Sequence, residues 1–172
     1  MGYRILDHTA DIGVEVHGAT LADLFSQAAF ALVDLLTDRG ALTGETERII
    51  RVEGADLEDL WINYLREILY QFNGESFLLK DIPEINFTSP TKIQHSPAPA
   101  PTEARKLSTL KEININKSEG KAEKICLEAS LRGAPYNPYR HTIKTEIKAV
   151  TYHRAEVKQT PAGWQGVFIV DV

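Results

Sequence analysis

The sequence predicts an α+β fold in which two amphipathic helices pack on a mainly antiparallel sheet. Two segments, 20–36 and 57–72, repeat apolar residues at helical spacing, and the patterned segments after residue 74 alternate as strands do. The α+β class typically has its helices and its strands in separate parts of the chain, with short turns between the strands. With 172 residues, 43% of them hydrophobic, the chain can bury one sizeable core, which predicts a single domain over residues 1–172.

Two short strands are predicted at residues 3–6 and 12–17, the second from strict alternation of apolar and polar side chains. A helix then begins after Thr20, which forms a capping-box pattern with Asp23, and it ends before Gly40. A strand at 46–52 leads to Asp56, the N-cap of the second helix.

The second helix is expected to end at Asn73-Gly74, residue types that tolerate the left-handed conformation. The apolar faces of both helices are interpreted as core, because amphipathic helices need such faces merely to fold. No internal repeat is evident.

Beyond Gly74 the pattern predicts strands separated by turn residues such as 81–83 and 133–135. The proline-rich and alanine-rich segment 89–105 is predicted to be a mobile surface loop within the domain, since its prolines cannot continue a central strand. The predicted strands are 77–79, 84–87, 110–115, 124–131, 142–153 and 164–170.

Composition excludes several classes of protein. A net charge of −5 argues against direct binding of a nucleic acid backbone, so any nucleic acid is expected to be reached through a partner. Cys126 is the only cysteine, which excludes an intramolecular disulfide and cysteine-rich zinc sites and fits a reducing cytoplasm. No apolar run approaches the ~20 residues that span a membrane, and no signal-peptide pattern begins the chain.

Oxygen ligands at the two ends of the chain are the main candidate site. Asp11 enters a predicted strand and Asp171 ends another, two positions where strand propensity disfavours aspartate. If the first and last strands are neighbours, these carboxylates and the α-carboxylate of Val172 meet at one point and suit a hard cation such as Ca²⁺ or Mg²⁺. A plain turn at Asp11 and a solvated end at Asp171 are the alternatives.

Strong catalytic motifs are absent: the chain has no Gly-rich phosphate loop, no Gly-x-Ser-x-Gly and no His-Glu-x-x-His. His8, Asp11 and His153 leave open a metal-dependent hydrolase, because Asp and His serve as metal ligands and as acid–base pairs. Their spacing alone does not select that function.

Three segments resemble the signatures of the archease family. The resemblance covers about residues 3–88 and 125–172, with the signatures in the family's order. They are His8-Thr9-Ala10-Asp11-Ile12-Gly13, Lys148-Ala149-Val150-Thr151-Tyr152-His153 and Ile169-Val170-Asp171-Val172.

The resemblance implies an accessory protein, not a stand-alone enzyme. Archeases promote guanylylation and multiple turnover of the RtcB-type RNA ligase of tRNA splicing and RNA repair, and an alternative role is chaperone or specificity modulator of a tRNA methyltransferase. It also implies a divalent cation, Ca²⁺ or Mg²⁺, held by Asp11, Asp171 and Val172. His8 and Thr9 would then orient the turn that carries Asp11.

Overall fold

The computed structural model describes residues 2–7, 11–88 and 124–172. His8, Thr9, the predicted loop at 89–105 and the predicted strand at 110–115 lie outside these ranges. Within them the chain forms β1 (Gly2–Asp7), β2 (Asp11–Gly18), α1 (Leu21–Leu36), a 3-10 helix (Arg39–Ala41), β3 (Thr46–Gly54), α2 (Leu57–Asn73), β4 (Phe77–Thr88), β5 (Ile125–Pro135), β6 (Ala149–Thr160) and β7 (Gly163–Asp171).

The described strands form two antiparallel sheets. One sheet has the order β1-β2-β7-β6 and the other the order β3-β5-β4. Helix α1 contacts β2 and β7 of the first sheet and β4 of the second, while α2 contacts β6 of the first and β3 of the second. The helices therefore form a middle layer between two sheets. The predicted α+β class is confirmed, and the strands are divided between two sheets where the prediction assumed one.

Aromatic side chains of the helices join the two sheets into one core. Phe25 of α1 meets Trp61 of α2 edge to face, with ring centroids 5.0 Å apart. Phe25 also meets Phe87 of the three-stranded sheet at 5.2 Å, and Trp61 meets Phe168 of the four-stranded sheet at 6.2 Å. Such edge-on pairs add about 0.5–1.5 kcal/mol each beyond burial of their area. The interpretation of both helical faces as core is confirmed.

Each helix begins with the same local motif, a repeat that sequence analysis missed. In both motifs the N-cap oxygen accepts from the N–H three residues later, and that later aspartate accepts from the N–H before the cap. A glycine opens each motif, because a Cβ there would lie 2.4 or 2.3 Å from the main-chain nitrogen six residues on. The two segments are Gly18-Ala19-Thr20-Leu21-Ala22-Asp23-Leu24 and Gly54-Ala55-Asp56-Leu57-Glu58-Asp59-Leu60.

Two predicted turns are wrong, because the strands run through them. Strand β4 is continuous across 81–83, with shifts of register on both sides of Asp81. Pro83 is tolerated because β4 is an edge strand of its sheet, where a residue without an N–H need not cost a ladder hydrogen bond. Strand β5 likewise continues through Gly133 to Pro135, paired with the start of β4.

Two further boundaries differ from prediction. Strand β6 begins at Ala149, not at residue 142, and the preceding segment touches the helical layer through an isolated bridge between Thr37 and Ile143. At the end of α2, Gly74 keeps right-handed helical angles, and the left-handed residue is Ser76, with φ of 50°. In the described residues no helix is long and apolar enough to cross a membrane.

Candidate functional site

Asp11 and Asp171 face each other across the β2–β7 ladder. Asp11 is the first residue of β2, Asp171 is the last of β7, and the antiparallel register makes them direct partners. Directly opposite residues have Cβ atoms about 4.5–5.5 Å apart and point to the same side of the sheet. The neighbours Ile12 and Val170 pack in the core, so strand alternation places both carboxylates on the face away from the helices.

The predicted adjacency of Asp11 and Asp171 is confirmed, with one correction to the strands involved. The partner of the last strand is β2, not β1, which pairs only with β2 at the edge of the sheet. On the other side of Asp171 lies Ala149, the first residue of β6. The acidic pair is therefore carried by two interior strands of the four-stranded sheet.

Lys148 brings a positive charge to the end of β7. Its main-chain N–H donates to the carbonyl of Asp171 at 2.8 Å, and its Nζ donates to the main-chain oxygen of Val172 at 3.0 Å. These two bonds hold the last residues of the chain against the start of β6. They place the exposed Lys148 next to the main-chain oxygens of Asp171 and Val172.

A wide bulge interrupts β6 shortly after Ala149. Thr151 pairs with Ile169, but the next pair joins Glu156 to Val167, so β6 carries three extra residues. Arg154, inside the bulge, has φ of 54°, a strained value for a residue with a side chain. Bulges of this kind end regular pairing and re-aim side chains.

Two residues of helix α2, Arg66 and Asp59, contact β6 at its bulge. Arg66 donates from Nε to the carbonyl of Val150 at 3.0 Å, and its guanidinium lies 4.6 Å from the centroid of the Tyr152 ring. The Tyr152 hydroxyl donates to Asp59 at 2.6 Å. This hydrogen bond is the main cause that lowers the pKa of the Asp59 carboxyl, with the Ala55 N–H adding to it, and it also raises the pKa of Tyr152.

His153 does not join Asp11. It is exposed on the bulge, four residues along β6 from the partner of Asp171. Among residues 2–7, 11–88 and 124–172, no group of three or more His, Cys, Asp or Glu side chains is arranged to hold a metal ion. The donors that the structure does bring together are two carboxylates and nearby main-chain oxygens. An oxygen-only set of this kind fits Ca²⁺ or Mg²⁺ better than zinc.

Comparison with known proteins decides the family. Residues 3–172 match the model of the Archease protein family (MTH1598/TM1083). The chain belongs to the archease family. It is 32% identical over 170 residues to protein archease of Methanosarcina acetivorans, covering 99% of this chain and 95% of that protein. It is also 32% identical over 172 residues to protein archease of Methanopyrus kandleri, covering all of both chains.

Two solved structures share the archease fold with this chain. The solution structure of Methanobacterium thermoautotrophicum protein 1598 aligns with a TM-score of 0.66 at 20% identity, covering 99% of each chain. The 2.0 Å crystal structure of a Thermotoga maritima archease, described as a possible chaperone, aligns with a TM-score of 0.52 at 17% identity. It covers 97% of this chain and 94% of that one.

Sequence analysis assigned no role to the residues that support this archease site. Lys148 and Tyr152 lie in one of the archease signatures, and Arg66 and Asp59 lie in the predicted second helix without a predicted role. Lys148 could have been found from the sequence, because it is the first residue of an archease signature and directly precedes an apolar segment. For Arg66 and Asp59 no local signal exists, because their partners on β6 are far away in the chain.

Proposed function

We propose that this protein activates an RtcB-type RNA ligase, promoting guanylylation of the ligase and its multiple turnover in tRNA splicing and RNA repair. The observation that carries the proposal is the direct pairing of Asp11 with Asp171, beside Lys148, in a chain of the archease family. The protein acts as an accessory factor in the cytoplasm, a setting that fits its single cysteine, Cys126.

In this proposal a divalent cation, Ca²⁺ or Mg²⁺, is held by Asp11, Asp171 and Val172. Two carboxylates directly opposite each other in a sheet repel, and a cation between them removes that cost. Where Val172 ends the chain, its α-carboxylate is a third anionic donor next to Asp171. Hard cations bind such oxygen sets with a strength that follows the number of charged ligands. His8 and Thr9 precede Asp11 and orient its turn.

The charge of the protein favours a protein partner over direct contact with RNA. A net charge of −5 opposes binding along a phosphate backbone, so the tRNA is reached through the ligase. A ligase site that binds phosphates presents positive charge, and an acidic sheet end with its cation is complementary to it. Asp11 and Asp171 are half-buried and Val172 is exposed, so this end is accessible to a partner.

A second candidate is a chaperone or specificity modulator of a tRNA methyltransferase. It is supported by the Thermotoga maritima neighbour, which is described as a possible chaperone. Both candidates require a protein partner, and they differ in which one. For a metal-dependent hydrolase using Asp11 with His8 or His153, the described residues offer no support, because His153 lies on the bulge and His8 is outside those residues.

The test is a guanylylation assay with an RtcB-type ligase, labelled GTP and substoichiometric amounts of this protein. We expect more covalent guanylate per ligase over repeated turnovers, and no such gain with Asp171→Asn. Asp81→Asn, a matched change on the other sheet, should stimulate like the unaltered chain. Absence of stimulation by the unaltered chain, together with stimulation of a tRNA methyltransferase, would support the second candidate instead.

A further inference from the structure

A groove of about 630 Å³ lies between the loop before β3 and the segment after β5. Its volume is within the range of small-molecule sites. It shares no residue with the acidic end of the four-stranded sheet. Its lining includes the side chains of Thr43, Glu45, Tyr136, Tyr139, Arg140 and His141.

One wall of the groove is a turn held by Asn137. The side-chain oxygen of Asn137 accepts from the N–H of Tyr139 at 2.9 Å. The main-chain carbonyl of Asn137 accepts from the N–H groups of Arg140 and His141 at 3.0 and 2.8 Å. The Asn137 N–H donates to Nδ1 of His141 at 3.0 Å. Because Nδ1 accepts this bond, the proton of the neutral His141 ring is on Nε2, which remains a donor.

Aromatic packing joins this turn to the body of the protein. The N–H of Tyr136 donates to the carbonyl of Ser76 at 2.6 Å, and its ring meets Phe72 of α2 edge to face at 5.5 Å. Ser76 is the residue in the left-handed conformation after α2. A turn supported in this way gives up little conformational entropy when a ligand binds.

Tyr139 stands at the tip of the turn, 96% exposed. A large aromatic ring so fully in water, on a backbone that its neighbours hold in place, is a surface for stacking with another flat ring. Arg140, next to it, offers the planar guanidinium that pairs with phosphate oxygens. The groove therefore combines a stacking platform with donors for an anion.

Charge in this part of the chain has the opposite sign to the whole protein. Residues 132–148 contain four cations and one acidic residue, Glu146, whereas the full chain has a net charge of −5. The cations are Arg132, Arg140, Lys144 and Lys148. Of these cations only Arg140 lines the groove, and Glu45 is the carboxylate among its lining residues, so the groove can pair with one phosphate but cannot follow a long nucleic acid backbone.

We propose that the groove binds a single nucleotide, with the base stacked on Tyr139 and the phosphate on Arg140 and Nε2 of His141. Glu45 and Thr43, on the opposite wall, accept from hydroxyl or amino groups of the sugar or base. The same chemistry is offered by a free nucleotide and by the terminal nucleotide of an RNA strand.

The test is titration of the full chain with AMP, GMP, adenosine and a trinucleotide RNA carrying a 3′-phosphate, followed by ¹H–¹⁵N chemical shifts. We expect saturable shifts in residues 136–141 with the phosphorylated ligands and weaker binding of adenosine. Tyr139→Ala should weaken binding at least about fivefold, and Tyr139→Phe should keep it, because stacking needs the ring and not the hydroxyl. Arg140→Ala should weaken AMP more than adenosine.

Tyr70→Ala is the matched control, since Tyr70 is 52% exposed on α2 and does not line the groove. Binding of AMP alone identifies a free nucleotide as ligand, and tighter binding of the trinucleotide identifies an RNA end. Absence of shifts with every phosphorylated ligand at millimolar concentration, or equal affinities for the unaltered chain and Tyr139→Ala, overturns the proposal.

Discussion

Asp11 and Asp171 lie directly opposite each other on neighbouring strands, with Lys148 bonded to the main chain at the end of the second strand. Like charges directly opposite each other destabilise a sheet. We therefore expect such a pair where the negative charge serves a function, such as binding a cation. The pairing therefore makes separate predictions for the protein with and without a divalent cation.

Asp171→Asn is expected to raise the stability of the cation-free protein and to weaken its binding of Ca²⁺. Removing one of two like charges relieves repulsion of about 0.2–1 kcal/mol. Urea unfolding in chelator and calorimetric titration with Ca²⁺ measure the two effects. Asp81→Asn is the control, because Asp81 pairs in register with Arg132 and not with another carboxylate. A lower stability of Asp171→Asn in chelator would contradict the prediction.

Extending the chain beyond Val172 by Gly-Ser is expected to lower the affinity for Ca²⁺. The extension converts an α-carboxylate into an amide carbonyl, which still donates oxygen but has no charge. A chain with the same extension before Met1 is the control, and both should melt at the same temperature in chelator. Equal calcium affinities in calorimetry would remove the terminal carboxylate from the site.

Tyr152→Phe is expected to destabilise the protein by about 0.5–1 kcal/mol at pH 7, because it removes a half-exposed hydrogen bond to a carboxylate. The folded state lowers the pKa of Asp59 below its ordinary 3.8, so this stabilisation is present above that pH and is lost as the pH falls through the lowered pKa. Urea unfolding should show a smaller difference in stability between Tyr152→Phe and the unaltered chain at pH 3 than at pH 7. Tyr139→Phe is the control and should match the stability of the unaltered chain at both pH values.

Gly166→Ala is expected to destabilise the protein by about 1–3 kcal/mol through a clash in the core. A Cβ at Gly166 would lie 2.7 Å from the Trp61 ring, which is fully buried and donates to the carbonyl of Val167 at 3.2 Å. Gly44→Ala is the matched control, since its Cβ would lie no closer than 3.8 Å to any neighbour. Thermal melting of the two variants measures the difference, and equal melting temperatures would disprove the clash.

The helices were predictable because their signals are local. Thr20 and Asp56 cap their helices through bonds to residues three positions later, and the apolar spacing of each helix is read within a few turns. The repeat of the two caps was visible in the same segments and was missed, because one cap uses a hydroxyl and the other a carboxylate. The archease signatures selected Asp11, Asp171 and Val172 as the ligand set, an option that residue chemistry alone had left open.

The sequence by itself determined the helices, their caps, the apolar strands and the candidate carboxylates. Tertiary structure decided the division into two sheets, the passage of β4 through Pro83, the bulge of β6 and its attachment to Arg66 and Asp59. The physical reason is the range of the interactions. A cap forms within one turn of chain, whereas the register that joins Asp11 to Asp171 arises only when both sheets close on the helices.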